Sequence, residues 1–370
     1  MRHKTLFLTL KVFAATGGIE KVCRVAGKAL YEWSITHNSR VEIYSMYDKN
    51  RDGYNNKYFP NEIFRGFNED KIKFILSSIW NSRNTNTVII SHINLLIVGW
   101  LIKLLMPQKR IILFAHGIEV WGKLNRFRRI TIKSCDLIIP VSQFTSQKLT
   151  ELNQLDTNKC KVLNNCLDPF LPLGKEFKHN DALRHKYGFK KDDIILFTLT
   201  RLSSKERYKG YDKVIQAMDR LKTKYSNIKY LIAGSYDSEE IKYINNLSSD
   251  LGLFKDIVIT GFINEDDLVA HFSMANIYVM PSMKEGFGIV FIEAMYYGLP
   301  VIAGNKDGSV DALLNGELGT LVNPLNVNEI KNAIDSIIEN KSIHVPNRHK
   351  LISSFSYESY KHKFEKILEH

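Results

Sequence analysis

Cysteine and metal-ligand motifs are scarce in this chain. Its 370 residues contain four cysteines, and no two of them are spaced as Cys-x-x-Cys. The sequence also lacks a P-loop, a His-Glu-x-x-His motif and an Asp-x-Asp motif. These absences argue against a zinc site, a disulfide framework and a P-loop nucleotidase. We interpret the cysteines as buried free thiols of a cytoplasmic protein and expect no metal or other cofactor.

Apolar runs long enough to span a membrane without interruption are absent as well. The most apolar window, Val88–Met106, contains His92, Asn94 and Lys103. It predicts a strand at 88–91 followed by a buried helix, not a transmembrane span. The first ten residues precede no small-residue cleavage site, so we expect them to form a first strand and not a signal peptide.

Acidic residues are few in the first half of the chain. Residues 1–172 contain 25 Lys or Arg against 13 Asp or Glu, whereas residues 173–370 contain 26 of each class. The whole net charge of +12 therefore lies in the first half. A solubilising surface would spread over both halves, so the asymmetry predicts an anionic partner for the first.

Strand-like and helix-like segments alternate along the chain, which is typical of parallel α/β sheets. The predicted strands are Thr5–Leu10, Val41–Tyr44, Val88–Ser91, Arg110–Phe114, Leu137–Pro140, Lys161–Leu163, Ile194–Leu199, Tyr230–Ala233, Asp256–Thr260, Ile277–Met280, Val301–Ala303 and Thr320–Val322. A polar segment at 168–185 interrupts the alternation and is the predicted linker. We expect two doubly wound Rossmann-like domains, 1–172 and 173–355, followed by a helix at 356–370 with apolar residues at helical spacing.

The segment Glu285–Glu293 carries the clearest functional signal. It reads E-G-F-G-I-V-F-I-E and lies between a predicted strand at 277–281 and a predicted helix at 290–297. Gly286 and Gly288 therefore occupy a strand-to-helix turn, where unpaired backbone N–H groups suit an anion such as a diphosphate. Carboxylates repel phosphate but accept hydrogen bonds from hydroxyls. Acids on both sides of a phosphate site thus indicate a nucleotide sugar, with a sugar ring at each end of the diphosphate.

This pattern resembles the E-x7-E signature of family 4 retaining glycosyltransferases, which have the GT-B architecture. The chain also contains other motifs of this family, in the order along the sequence that the family requires. They are Gly17-Gly18, His116-Gly117, Arg201 and Lys209-Gly210. The resemblance covers most of the chain. It implies an acceptor-binding first domain and a donor-binding second domain that face each other across a cleft and close about the linker. The last helix would cross back to the first domain.

The resemblance implies a role for each residue of the donor site. The implied set is Gly17, Gly18, Arg201, Lys209, Glu285, Gly286, Phe287, Gly288, Ile289 and Glu293. Arg201 and Lys209 would neutralise the donor diphosphate in place of a metal ion. Glu285 would bind the transferred sugar near its reacting carbon, and Glu293 would bind the ribose. The Arg-to-Lys spacing is longer than in many relatives, so whether Lys205 or Arg207 shares the role of Lys209 stays open at this point.

The resemblance also places His116 in the cleft as a catalytic or acceptor-binding residue, with Glu119 as a weaker acceptor contact. For His116 a structural role is the alternative, because a histidine at a strand end is often only hydrogen-bonded in place. For Glu119 the alternative is a surface acid.

A basic amphipathic segment at 123–133 predicts a membrane-facing surface. Its cations are Lys123, Arg126, Arg128, Arg129 and Lys133. Phe127 and Ile130 share one helical face, with Leu124 beside them, which suits anionic lipid headgroups. The alternative is a core-packed helix with a solvated basic side.

Together with the absence of an Asp-x-Asp motif, the resemblance implies a retaining, metal-independent hexosyltransferase of cell-surface polysaccharide or lipopolysaccharide synthesis. Its donor would be GDP-mannose or a UDP-hexose, and its acceptor a saccharide or a polyprenyl-diphosphate-linked saccharide. We expect it in the cytoplasm, peripheral on the inner face of the membrane. A nicotinamide-dependent oxidoreductase would need a G-x-G-x-x-G after the first strand, which is absent. A nucleic-acid-binding protein, suggested by the basic half, does not explain the acidic motif.

Overall fold

The computed structural model describes residues 4–172, 181–340 and 345–369. The chain divides into two units, one formed by Met1–Phe170 with Phe355–His370 and the other by Leu171–Ser354. The central part of the predicted linker, residues 173–180, lies outside the described residues.

The first unit contains a six-stranded sheet in which neighbouring strands are parallel. Its strands are β1 (Lys4–Thr9), β2 (Arg40–Ser45), β3 (Phe64–Gly66), β4 (Thr87–Ile90), β5 (Arg110–Ala115) and β6 (Leu137–Pro140). The strand order β3-β2-β1-β4-β5-β6 is that of a Rossmann fold. From β1 the strands are added towards one edge as β2 and β3, and then towards the other edge as β4, β5 and β6. The topological switch point therefore lies between β1 and β4.

Helices cover both faces of this sheet and bury its branched side chains. The helices are α1 (Gly18–Thr36), α2 (Lys71–Ser82), α3 (Leu96–Leu105), α4 (Arg126–Lys133) and α5 (Gln143–Asn153). One core cluster joins α1 to one face of the sheet. A second cluster joins α2, α3 and α4 to the opposite face. Successive side chains of a strand point to opposite faces of the sheet. Because these strands are nearly continuous apolar runs, both faces of the sheet are apolar.

The second unit repeats this topology. Its strands are β7 (Ile194–Leu199), β8 (Ile228–Ala233), β9 (Ile257–Gly261), β10 (Ile277–Met280), β11 (Val301–Gly304) and β12 (Thr320–Val322). They form a parallel sheet of order β12-β11-β10-β7-β8-β9, with its switch point between β7 and β10. Its helices are α6 (Asp181–Lys186), α7 (Tyr211–Leu221), α8 (Ser238–Asp250), α9 (Glu265–Met274), α10 (Ile289–Tyr296), α11 (Ser309–Ala312) and α12 (Val327–Glu339).

The chain ends in two helices, α13 (Arg348–Phe355) and α14 (Tyr357–Glu369), and α14 belongs to the first unit. The ring of Phe364 packs edge-on against Phe114 of β5, with centroids 5.6 Å apart. The Tyr357 hydroxyl donates a 2.8 Å hydrogen bond to Glu32 of α1. The predicted return of the last helix to the first unit is confirmed.

Eleven of the twelve predicted strands are present, with ends shifted by no more than two residues. The prediction of a strand at Lys161–Leu163 is wrong. That segment makes two hydrogen bonds to β6, from the Lys161 and Leu163 amides, and an isolated bridge at Cys160, but no continuous ladder. The sequence analysis also missed β3, because three residues at a sheet edge carry no readable period.

Candidate functional site

In the second unit, two predicted site segments and one further loop follow neighbouring strands at the switch point. Residues 200–210 follow β7, residues 281–288 follow β10, and residues 305–308 follow β11. Because β11, β10 and β7 are adjacent and parallel, their carboxyl ends lie at one edge of the sheet. Open α/β sheets bind ligands at this edge beside the switch point.

The loop after β10 is held from both sides by these neighbours. The Met283 amide donates a 2.9 Å hydrogen bond to the Tyr208 carbonyl, in the loop after β7. On the other side, the Gly308 amide donates a 2.8 Å hydrogen bond to the Glu285 carbonyl. A Cβ atom on Gly308 would lie 2.0 Å from the Gly286 carbonyl oxygen, so only glycine permits this approach. The position of Glu285 is therefore fixed by backbone contacts.

Glu285 forms an ion pair with Lys209, the residue that ends the short 3₁₀ turn Arg207–Lys209. Each of the two side chains is 15% exposed. Burial alone would lower the pKa of Lys209, but the Glu285 carboxylate outweighs it, and the pKa lies above its ordinary value. The structure therefore brings together the predicted acid and the predicted cation, with the lysine charged at neutral pH.

Asp307 also contacts this loop, and the sequence analysis missed it. Its carboxylate accepts hydrogen bonds from the amides of Glu285 (2.6 Å) and Ser309 (3.0 Å). Asp307 is fully buried. Burial raises its pKa to about 7, with a smaller contribution from the Glu285 charge. A pattern search for sugar or phosphate ligands could not find Asp307, because its partners are backbone amides.

The N-terminus of α10 lies directly after this loop. Gly288 is its N-cap, with φ +84°, and among the described residues no side chain caps this helix end. The first N–H groups of a helix have no intrahelical partners and favour anions. Ile289 begins the helix, whereas the Phe287 side chain is buried in the core, so Phe287 offers a ligand only its backbone. Glu293 lies in the second turn and is 3% exposed.

The remaining cations after β7 have different surroundings. Arg201 is exposed and pairs with Glu206 at 2.6 Å. Arg207 donates a 2.8 Å hydrogen bond to the buried Glu240 of α8 and lies over the Tyr243 ring. Lys205 is exposed. Lys209, the predicted cation, is paired with Glu285. Arg207, which the sequence left open as sharing that role, instead contributes to packing against α8.

Tyr208 is a second residue that sequence reasoning did not single out. The ammonium groups of Lys209 and Lys284 lie 5.6 and 5.4 Å from its ring centroid. Burial raises the pKa of the Tyr208 hydroxyl, and the charges of Lys209 and Arg201 partly offset this shift. Tyr208 therefore keeps two cations near the Glu285 loop through cation–π contacts.

In the first unit, Gly17 is the N-cap of α1 and Gly18 is its first residue. Both are exposed, and a Cβ atom on Gly18 would meet no described atom within 4 Å. The preceding loop is held by the buried Asp48, whose carboxylate accepts hydrogen bonds from the amides of Val12 (2.7 Å) and Phe13 (2.9 Å). This rigid loop leaves the start of α1 open to solvent, and the role of the two glycines stays a prediction.

His116 follows β5 and is 9% exposed. Its Nε2 lies 2.6 Å from the Ser91 carbonyl oxygen, and its ring stacks on Phe114. The Glu119 carboxylate accepts hydrogen bonds from the amides of His116 (2.6 Å) and Gly117 (3.1 Å). Through these contacts both residues stabilise the turn that follows β5. Catalytic and acceptor-binding roles for them stay predictions.

The basic segment of the first unit forms α4, and its apolar residues divide between core and surface. Phe127 and Ile130 are 46% and 52% exposed, whereas Leu124 is buried. The expectation that Leu124 belongs to the outer face is therefore wrong. Arg126 and Lys133 are exposed. Arg128 and Arg129, which are partly buried, donate hydrogen bonds to Asn94 (3.0 Å) and Gln154 (3.4 Å), respectively.

In the described part of the chain, no helix combines the length and apolar character that crossing a bilayer requires. Within the same residues, no three His, Cys, Asp or Glu side chains are grouped to hold a metal ion.

Comparison with known proteins agrees with this architecture. Residues 179–355 match the family model described as glycosyl transferases group 1. A crystal structure of Anabaena Alr3699/HepE with UDP and glucose superposes with a TM-score of 0.79 over 100% of both chains, at 18% identity. The second unit thus resembles the group 1 glycosyl transferases over residues 179–355, and the whole chain has the GT-B fold. Assignment to family 4 stays a prediction.

Two relatives illustrate the sequence similarity. An uncharacterized glycosyltransferase of Methanocaldococcus jannaschii is 30% identical over 209 residues, which are 56% of this chain and 52% of the relative. A GDP-mannose-dependent alpha-(1-6)-phosphatidylinositol monomannoside mannosyltransferase of Mycolicibacterium smegmatis is 29% identical over 245 residues, covering 62% and 61%. The chain thus spans about half to three fifths of the length of these relatives.

Proposed function

We propose that this chain is a retaining glycosyltransferase that moves a hexose from a nucleotide sugar to a saccharide or lipid-linked saccharide acceptor. One observation carries the proposal. The Lys209–Glu285 pair and the N-terminus of α10 meet at the switch point of a group 1 glycosyl transferase unit. A cation and helix amides suit a diphosphate, and a carboxylate suits sugar hydroxyls.

The reaction breaks the bond between the anomeric carbon of the sugar and the diphosphate oxygen. The electron pair of that bond stays on the diphosphate, where negative charge increases. Lys209, Arg201 and the α10 dipole stabilise this charge more strongly in the transition state than in the bound donor, which accelerates bond breaking. We propose that these groups take the place of a metal ion, so that transfer continues in the presence of a chelator.

The acceptor hydroxyl attacks the anomeric carbon on the face that the leaving group vacates. Its proton passes to a diphosphate oxygen, so the product keeps the anomeric configuration of the donor. Glu285 would hold sugar hydroxyls next to the reacting carbon, and Glu293 would hold the ribose. For the acceptor we propose a saccharide of cell-surface polysaccharide or lipopolysaccharide synthesis, free or polyprenyl-diphosphate-linked. Its binding residues would be His116 and Glu119.

The donor is proposed as GDP-mannose or a UDP-hexose. The mycobacterial relative is named as GDP-mannose-dependent, whereas the HepE crystals contain UDP and glucose. We further propose that the protein acts in the cytoplasm and attaches to the inner face of the membrane through Arg126, Arg128, Arg129 and Lys133 of α4.

A thermal-shift panel tests the proposal directly. A ligand that binds the folded state raises its melting temperature by mass action. We expect UDP or GDP, and one matching nucleotide sugar, to raise the melting temperature, and NADH to leave it unchanged. Incubation of that sugar with an oligosaccharide acceptor and EDTA should then give an α-linked product from an α-linked donor. A shift with NADH alone, or an inverted product, would contradict the proposal.

A further inference from the structure

The layer formed by α2, α3 and α4 has an unusually apolar outer surface. Eight of the 18 large apolar side chains that are exposed in the described residues lie on these three helices. They are Ile72, Leu76, Trp80, Ile97, Leu104, Leu105, Phe127 and Ile130. Contiguous exposed apolar surface of this kind marks an interaction site in a soluble protein. We call this surface the α2–α4 face.

The α2–α4 face is continuous. Helix α3 packs against both α2 and α4. The rings of Trp100 in α3 and Phe127 in α4 meet edge-to-face, with centroids 5.7 Å apart. All three helices cover the same side of the sheet, because one core cluster joins them to it. Their outer sides therefore form one surface.

Helix α2 shows the pattern most clearly. Ile72, Leu76 and Trp80 are spaced by four residues and are 72%, 62% and 66% exposed. Residues at this spacing line one side of a helix. The inner side carries Phe74 and Ser78, which are buried. A surface helix normally directs its large apolar residues inward, so the stripe on the outer side of α2 needs a partner.

The charge on these helices has a single sign. Together α2, α3 and α4 contain seven Lys or Arg and no Asp or Glu. The opposite side of the sheet differs, since α14 alone has three Glu and three Lys. Apolar side chains with cations and without anions suit a bilayer of anionic lipids, which offers an acyl region beneath negative headgroups.

A groove beside Trp80 adds a place for a headgroup. It has a volume of about 540 Å³, and Arg65, Trp80 and Arg83 line it. The Arg83 guanidinium carbon lies 4.3 Å from the Trp80 ring centroid. A guanidinium group binds phosphate through two parallel hydrogen bonds, and tryptophan favours the boundary between headgroups and acyl chains.

We propose that the α2–α4 face docks on an anionic lipid leaflet, with Trp80 inserted at the headgroup boundary. This inference extends the membrane attachment proposed above from α4 to three helices, and it does not depend on the transfer reaction. A second copy of the chain is a poor occupant, because the three helices carry seven cations, of which Lys103 is paired with Asp136, and no acids of their own, so two such surfaces repel one another. A nucleic acid would use the cations but would leave the aliphatic side chains exposed to water.

Vesicle binding tests the inference with a matched pair of double variants. Leu76→Gln/Trp80→Gln removes apolar side chains from the α2–α4 face. Phe254→Gln/Leu325→Gln removes two side chains of similar exposure from the second unit. We expect the wild type and the second variant to bind phosphatidylglycerol vesicles equally, and the first to bind at least tenfold more weakly. Neutral phosphatidylcholine vesicles should bind the wild type weakly. Equal binding by both variants would overturn the proposal.

Two further readouts separate this proposal from its rivals. Brominated lipids should quench wild-type tryptophan emission more than that of Trp80→Phe, and equal quenching would contradict insertion. If the first variant abolishes self-association in sedimentation without changing vesicle binding, the face is a contact between copies and the proposal fails. The shift produced by UDP or GDP should be equal in both double variants. If no nucleotide binds but the vesicle results hold, the docking face stands without the proposed enzyme activity.

Discussion

The backbone amide of Glu285 donates a 2.6 Å hydrogen bond to the buried carboxylate of Asp307. The second carboxylate oxygen accepts a hydrogen bond from the backbone amide of Ser309, the first residue of α11. Asp307 thereby ties the loop after β11 to the loop that presents Glu285. Asp307 binds the backbone amide of Glu285, whereas Lys209 forms an ion pair with its side-chain carboxylate. The two residues therefore hold Glu285 through different atoms.

Replacing Asp307 by asparagine should loosen this connection. An asparagine has one acceptor oxygen, so one of the two buried amides loses its partner, at a cost of about 1–3 kcal/mol in the free energy of unfolding. We expect the variant to fold, to be less stable and to transfer sugar more slowly, because Glu285 is no longer held in place. Urea unfolding and kcat measurements on the same preparation check both effects, and unchanged values in both would contradict the role of Asp307.

The stability difference between wild type and Asp307→Asn should also depend on pH. The folded pKa of Asp307 is about 7, above the ordinary value of 3.8. The folded state therefore binds the proton more tightly, and the contribution of Asp307 is fully present below about pH 4 and declines as pH rises through 7. The advantage of wild type over Asp307→Asn should shrink between pH 5 and pH 8. An advantage that grows over this range would show that Asp307 is ionised in the fold.

We expect the side chain of Glu285 to contribute to sugar transfer and not to be required for folding. Glu285→Ala should lower transfer at least about a hundredfold, because groups that contact the reacting region contribute on this scale. The folded state should persist, since Glu285 is at a loop after β10 and not in either sheet. Nucleotide-induced thermal shifts provide the control for an intact site. Unchanged turnover in Glu285→Ala would reject the assigned role.

The two sheets and the Glu285–Glu293 turn were readable from sequence because their signals are local. A buried strand appears as a short run of branched residues, and the turn appears as glycines between such a run and a helix. Lys209 was the predicted cation, with the sharing of its role by Lys205 or Arg207 left open, and only the structure shows that Arg207 instead contacts Glu240. The sequence positions of Arg207 and Lys209 could not predict their different partners. Both residues lie in one 3₁₀ turn, but Arg207 contacts Glu240 and Lys209 contacts Glu285.

Asp307, Tyr208 and Asp48 were missed for a different reason. Asp307 and Asp48 accept hydrogen bonds from backbone amides far away in sequence, and the Tyr208 ring contacts the distant Lys284 ammonium group, so no spacing pattern connects these residues to their partners. The exposed stripe of α2 was missed because an apolar i, i+4, i+8 series predicts a buried face, and only the structure shows that the sheet lies on the other side.

Lys209 and Arg207 allow a paired test of site against scaffold. Lys209→Met removes the cation beside Glu285, so we expect kcat/KM to fall by about 10²–10³-fold. Arg207→Met removes the partner of the buried Glu240, so we expect a lower free energy of unfolding but nearly wild-type kcat for the folded fraction. Steady-state kinetics with active-site titration distinguish the two. A loss of kcat in Arg207→Met as large as in Lys209→Met would show that both cations act on the diphosphate.

Gly210 tests whether backbone packing positions Lys209. It has φ +80°, and a Cβ atom there would lie 2.4 Å from the carbonyl oxygen of Pro281, which follows β10. Gly252 has a similar φ of +68°, but a Cβ atom there would meet no described atom within 4 Å. Gly252→Ala therefore reports the cost of the left-handed backbone alone, about 1–3 kcal/mol. Gly210→Ala should be less stable than Gly252→Ala and should also weaken nucleotide binding, because the loop that carries Lys209 must move away from the loop that carries Glu285. Equal stability and equal nucleotide binding in the two variants would mean that this close approach does not position the ion pair.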